Sequence, residues 1–195
     1  MSSYGEMSLK ELFNAKVLQT IVFPLVVPTS QEIKKFDFSK SDLNACYSKP
    51  PINSRNGQEQ SWFEVKLTVV GEHNLPPRKE WFYVVMEDGN IFKAHFSGKK
   101  TKKLVTFEDT SLIGHCIKSM FFDRRLVKDF EYCFDDPYKY GVITKEMLDS
   151  YGSAEVILKK TNKTKTDGKG NKRDIWIFSF PLMPDLLDEE WREEY

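Results

Sequence analysis

Strand-like segments crowd this chain with little between them, and that spacing limits the folds open to it. Trp81-Phe-Tyr-Val-Val-Met86 and Ile91-Phe-Lys-Ala-His-Phe96 are separated only by Glu87-Asp-Gly-Asn90. Asp-Gly between two apolar runs is a hairpin signal, because glycine adopts positive φ in a tight turn without a Cβ clash. Upstream, Val17–Val27 is rich in β-branched residues and closed by Pro28. Pro24 inside it predicts an edge strand or a bulge, where no ladder N–H is required. Trp62-Phe-Glu-Val-Lys-Leu-Thr-Val-Val70 alternates polar and apolar residues, as a half-buried strand does. Ala154–Leu158 and Ile175–Phe180 read as two further strands, joined by a basic loop over Lys159–Lys172.

Helical signals are few and short. Ser8-Leu-Lys-Glu11 is a capping box opening a helix to about Lys16, with Ser8 as the cap and Glu11 reaching back. Between Glu108 and Phe121 the period changes: Leu112, Ile113, Cys116, Ile117, Met120 and Phe121 share one helical face. Thr144 is the N-cap of a short helix that runs to Tyr151 and stops at Gly152. Six or more strands without βαβ alternation give a mainly β chain with short helices, a mainly antiparallel barrel or sandwich.

A length of 195 residues fits one large domain or one domain with appendages, and 15 Phe, 8 Tyr and 4 Trp suffice to fill a core. No apolar run approaches the ~20 residues of a membrane-spanning helix. The opening Met1-Ser-Ser-Tyr-Gly-Glu6 lacks the basic stretch and apolar run of a secretory signal. Cys46, Cys116 and Cys133 are odd in number and unhelpfully spaced, so a reduced, cytoplasmic chain is the expectation. The expected organisation is an N-terminal helix and linker over 1–16, a main domain over 17–183 and an acidic tail over 184–195.

Net charge is zero, but it is sorted along the chain. Asp185–Tyr195 holds six acidic residues and one Arg, a net of −5, so the preceding 184 residues carry +5. Lys159–Arg173 has seven basic residues against Asp167. Two further loops are basic and rich in small polar residues: Ser39-Lys-Ser-Asp-Leu-Asn-Ala-Cys46 through Asn53-Ser-Arg-Asn-Gly57, and Ser97-Gly-Lys-Lys-Thr-Lys-Lys103. Thr29–Ser61 as a whole shows little periodicity, and a structureless stretch this long in a compact domain is usually functional or disordered. Localised basic faces matter more for nucleic acid than the total charge. Lysines neutralise phosphates, while Asn and Arg pair with base edges, so duplex DNA is the expected partner. The simpler alternative is solvated loops and an ordinary tight turn at Asn56-Gly57.

Several stretches, in order, resemble the C-terminal, B-three-like DNA-recognition domain of phospholipase D-type (metal-independent) restriction endonucleases. Phe23-Pro-Leu25 followed by Ser41-Asp-Leu-Asn-Ala-Cys46 is similar to a strand ending in Pro-Leu and a loop with Ser-Gly-Leu-Asn-Trp-Gly. Val85-Met-Glu-Asp-Gly89 resembles that family's hairpin turn; Ile113-Gly114 with Ile117-Lys118 resembles its helix, and Ile143-Thr144, Leu148 and Tyr151-Gly152 its late helix. The resemblance covers roughly residues 20–180 and departs at Asp42 and Ala45-Cys46, in the first loop. It implies an open seven-stranded pseudobarrel whose two loop arms, about Thr29–Ser61 and Phe96–Lys103, grip the major groove. Asn44, Arg55 and Asn56, with Ser39 and Ser41 as adaptable donors, are then the candidate base contacts. Lys40, Lys99, Lys100, Lys102 and Lys103 are the candidate phosphate contacts. Lys159–Lys172 is alternatively a mobile hairpin tip that touches only DNA backbone.

Catalysis by this chain alone has weak sequence support. A phospholipase D-type nuclease needs His-x-Lys, but His73, His95 and His115 are followed two positions on by Leu75, Ser97 and Ile117. Asp42 with Glu64-Val65-Lys66 loosely fits a magnesium-dependent nuclease core. Alternation of Glu64 and Lys66 reads more simply as the solvent face of a strand. His115-Cys116 does not suit a metal, since neighbouring residues on a helix point apart. Phe63, Trp81 and Phe82 are expected in the core rather than as stacking platforms. The resulting expectation is a non-catalytic reader of double-stranded DNA without cofactor or metal, partnered by the nuclease domain or subunit of a restriction system. The alternatives are a small nuclease using Glu64 and Lys66, and a β-barrel adaptor whose acidic tail binds a protein.

Overall fold

The computed structural model describes residues 8–35, 67–107, 112–123 and 143–180. The strands are β1 (Val17–Pro24), β2 (Leu67–Thr68), β3 (Phe82–Met86), β4 (Ile91–Ser97), β5 (Lys103–Thr106), β6 (Glu155–Thr166) and β7 (Lys172–Ser179). The helices are α1 (Leu9–Phe13), α2 (Leu112–Asp123) and α3 (Lys145–Tyr151), with a 3-10 turn at Glu32–Lys35. The seven strands form one sheet in the order β1-β6-β7-β3-β4-β5-β2. It is mixed, because β3 pairs in parallel with β7, Tyr83 facing Ile175 and Met86 facing Phe178. An open seven-stranded sheet with few short helices matches the pseudobarrel expectation. No helix among the described residues is long and apolar enough to cross a membrane.

The chain divides into two compact units. Of the described residues, the first holds 8–23, 67–107, 112–113 and 156–179; the second holds 24–35, 114–123, 143–155 and 180. In the first unit β3 is the central strand, and all five of its residues are buried. That explains its unbroken apolar run: a strand covered on both faces shows no polar alternation. One face stacks Phe82 on Trp176 at 5.0 Å and on Phe96 at 5.4 Å between ring centroids. The other face gathers Tyr83, Val85, Ile175 and Ile177 around Leu12 of α1. The five-residue α1 is too short to persist by itself. Its capping box, with Glu11 N–H donating to Ser8 Oγ at 3.1 Å, and the burial of Leu12 hold it in place.

The β3–β4 turn forms as its sequence requires: Gly89 has φ +90°, and Asp88 Oδ1 accepts from Asn90 N–H at 3.0 Å. The connection from β6 to β7 differs from expectation. Instead of a loop over Lys159–Lys172, both strands continue into a long hairpin whose turn is only residues 167–171. Alternation of Lys with β-branched Thr favours an extended chain. In this arm Lys163 and Lys165 are half-buried while Thr164 and Thr166 are exposed, so the half-buried face carries lysines and no apolar stripe. A register shift between Lys160 and Thr164 is closed by Thr161, whose hydroxyl donates to Ile175 O at 2.6 Å and accepts from Lys163 N–H at 3.2 Å. β5 lies within and beyond what reads as the end of the second basic loop, and is too short for its period to show. Of Trp62–Val70 only Leu67–Thr68 is described as strand; the remainder up to residue 66 lies outside the described residues.

In the second unit, α2 buries Cys116, Ile117 and Met120 on the expected face. Thr144 caps α3 by accepting from Met147 N–H at 3.3 Å, and Gly152 ends it at φ +88°. Ser30 N–H and its hydroxyl both donate to the Glu146 carboxylate, tying the chain after β1 to the first turn of α3. The Glu146 backbone amide, with the Ser30 donors and the Thr144 hydroxyl adding to it, holds that carboxyl below its usual range against an opposing desolvation cost.

Candidate nucleic-acid interface

The strand registers place three connections of the first unit at one end of the sheet. β4 runs antiparallel to β3, so the end of β4 lies beside the start of β3. β7 runs parallel to β3, so its start lies at that same end. The β4–β5 connection, the segment entering β3 and the β6–β7 turn therefore share one end of the sheet.

The β4–β5 connection turns on Gly98, whose φ is +116°. Any Cβ there would collide with the carbonyl of Thr101, so the tight return depends on glycine. Val69 N–H donates to Lys102 O at 2.8 Å and fastens the far side of the turn. Lys99, Lys100 and Lys102 project from it as exposed side chains. Lys103 belongs to β5, faces Ser97 and Thr68 in the ladder and is half-buried. None of the four is ion-paired among the described residues. Ser39, Lys40, Ser41, Asn44, Arg55 and Asn56, with Glu64 and Lys66, lie outside the described residues.

The β6–β7 turn is closed by hydrogen bonds to Asp167. Asp167 Oδ1 accepts from Lys169 N–H and Asn171 N–H, each at 2.9 Å, and its Oδ2 accepts from Arg173 Nε at 3.0 Å. The Asn171 amide, aided by Arg173 and the Lys169 amide, lowers the Asp167 carboxyl to about 2 against a desolvation cost. Arg173 also donates through Nη1 to Lys79 O at 3.1 Å, joining the turn to the segment that enters β3.

Next to this turn, basic side chains lie over aromatic rings. Arg173 of β7 and Lys93 of β4 approach the Trp81 ring at 4.2 and 5.1 Å, from the two strands that flank β3. Lys165 Nζ lies 4.9 Å from the centre of Tyr83. Burial, then the nearby Asp167 charge, pushes the Tyr83 hydroxyl upward despite the opposing effect of Arg173. Phe82 is a core residue as expected, whereas Trp81 is half-buried and covered by cations. Neither Lys93 nor Phe107 stands out in the sequence. The available signal is a lysine on a hairpin strand two residues from a buried histidine, which carries little information. Among the described residues no cluster of three or more His, Cys, Asp or Glu side chains is placed to hold a metal ion.

The family model for the NgoFVII C-terminal B3-like DNA-binding domain matches residues 20–162. The chain belongs to that family. No curated protein matches it. The match runs from β1 into β6 and so contains both stretches singled out in the sequence as basic, residues 39–57 and 97–103. This B3-like domain is thus a DNA-binding domain of the restriction-enzyme kind. The last strand, β7, lies beyond the matched segment, as do Lys165 and Arg173.

Proposed function

We propose that this B3-like domain reads a specific duplex sequence through two loop arms in the major groove and supplies target recognition to a phospholipase D-type restriction endonuclease. The observation that carries the reading is the family match over 20–162, which spans both loops. The arms are about Thr29–Ser61 and Phe96–Lys103. Asn44, Arg55 and Asn56 read base edges in the first arm, with Ser39 and Ser41 as adaptable donors. Lys40, Lys99, Lys100, Lys102 and Lys103 hold phosphates. A groove ~12 Å wide admits an arm that stands clear of its own sheet, and bidentate Asn–adenine or Arg–guanine pairs supply discrimination. Cleavage is left to a nuclease domain or subunit, inside the reducing cytoplasm.

Selection from a randomised duplex pool, at moderate salt and without divalent metal, tests the reading. Enrichment of a short motif whose preference relaxes in Asn44→Ala and Arg55→Ala supports it. Salt-sensitive binding without any enriched motif would reduce the domain to a general DNA clamp and refute sequence reading.

A further inference from the structure

We propose that the domain has a second nucleic-acid site, which takes an unpaired nucleotide, in the hollow between Phe107, Trp81, Lys93, Lys169 and Arg173. The inference rests on the DNA-binding reading and adds a place of contact outside the two loop arms. The hollow measures about 410 Å³, within the ~300–1,000 Å³ typical of small-molecule sites.

The decisive feature is Phe107, a large apolar side chain 43% exposed at the end of β5. Its backbone is fixed, since Phe107 N–H donates to Lys93 O at 3.2 Å. One side of its ring leans on the buried His95, with centroids 4.5 Å apart. Its other neighbour, Trp81, meets it edge-on at 6.0 Å and 75°. Trp81 is itself taken up by Arg173 and Lys93, so it positions the cations and leaves Phe107 as the ring with open surface. A flat apolar partner covers that surface with gain in burial and stacking.

Charge narrows the occupant. Lys93, Lys169 and Arg173 line the hollow against one acid, Asp167. That acid is already engaged by two backbone N–H groups and by Arg173, and its side chain is 4% exposed. A ligand that joins a planar ring to an anion fits both halves: the base stacks on Phe107 while its phosphate lies between Lys93 and Lys169. Aromatic platforms beside basic side chains are how proteins hold single strands without hydrogen-bond readout of sequence. A base inside a duplex has both faces covered by its neighbours, so only an unpaired nucleotide can stack here.

Fluorescence anisotropy of the full chain, with a labelled short oligothymidylate and separately with a fully paired duplex, decides the matter. Phe107→Ala is expected to weaken oligothymidylate binding about 5- to 150-fold, the alanine-substitution range for one stacked base. Duplex affinity stays within about twofold, and Phe107→Tyr retains single-strand binding. Lys93→Ala weakens the oligothymidylate complex and reduces its salt slope by about 0.7, the single-strand value per phosphate. An unchanged melting temperature in each variant shows that the effect is at the site. Failure of the wild-type chain to bind oligothymidylate, or equal binding by Phe107→Ala, overturns the inference while leaving duplex recognition intact. Failure to bind any duplex would instead remove the DNA-reading premise, and the inference with it.

Discussion

Replacing Lys99, Lys100 and Lys102 together with alanine gives a quantitative test of the β4–β5 connection. All three are exposed on a turn whose backbone is fixed by Gly98 and by the Val69–Lys102 hydrogen bond. None is ion-paired among the described residues, so each is available to a phosphate. Lys103 is retained because its half-buried place on β5 would confuse packing with charge. Each phosphate contact contributes a slope of about −0.9 in log K against log salt, so three contribute about −2.7. Between 50 and 200 mM salt one contact then loses about 3.5-fold in affinity and three lose about 40-fold. The wild-type advantage over the triple variant is therefore expected to shrink about 40-fold over that range. Fold stability should change by no more than about 0.5 kcal/mol per exposed site, which thermal melting checks. Anisotropy titrations of one duplex at several salt concentrations provide the slopes. Parallel lines for the two proteins would refute the assignment of this connection to the DNA backbone.

Gly98→Ala should cost about 1–3 kcal/mol from the positive φ alone, with the Thr101 collision in addition, and should weaken duplex binding; urea titration gives the first and anisotropy the second. Leu12 is fully buried beneath α1, so Leu12→Ala should lower unfolding free energy by about 2–5 kcal/mol, and an unchanged urea midpoint would show that α1 does not seal that face. The Asp167 carboxyl is lowered from 3.8 to about 2, so its contribution to stability is fully present above 3.8 and is lost as pH falls toward 2. Melting temperatures over that interval should fall in the wild type more than in Asp167→Asn, which has no carboxylate to protonate.

What the sequence makes legible here is what local chemistry decides. Asp88-Gly89 fixes the β3–β4 turn, Ser8 and Glu11 cap α1, and Thr144 and Gly152 bound α3. Each of those signals is complete within a few residues. The β6–β7 hairpin is not legible in the same way. Its strands are recognised by hydropathy only where one side is buried, and in β6 past Thr161 the half-buried positions are filled by Lys163 and Lys165 and the others are exposed. Polar composition then imitates a loop, although the period of two is present in Lys163, Thr164, Lys165 and Thr166. Short β5 fails for a different reason, since four residues carry too few alternations to outweigh the lysine run before them.

The basic residues show why a site is harder to read than a fold. In sequence, Lys93, Lys100 and Lys165 are equivalent cations. In the folded chain, Lys100 is exposed on a turn, whereas Lys93 and Lys165 lie over the rings of Trp81 and Tyr83. The difference is produced by adjacency of β7, β3 and β4, and the parallel pairing of β7 with β3 joins segments far apart in the chain. No local pattern announces that pairing. Its consequence is physical: removing a free lysine changes charge alone, while removing one that covers a ring also uncovers apolar surface. A lysine run therefore marks where a backbone contact is available, but a lysine paired with a ring marks where planar and anionic chemistry meet. Only strand order tells the two apart.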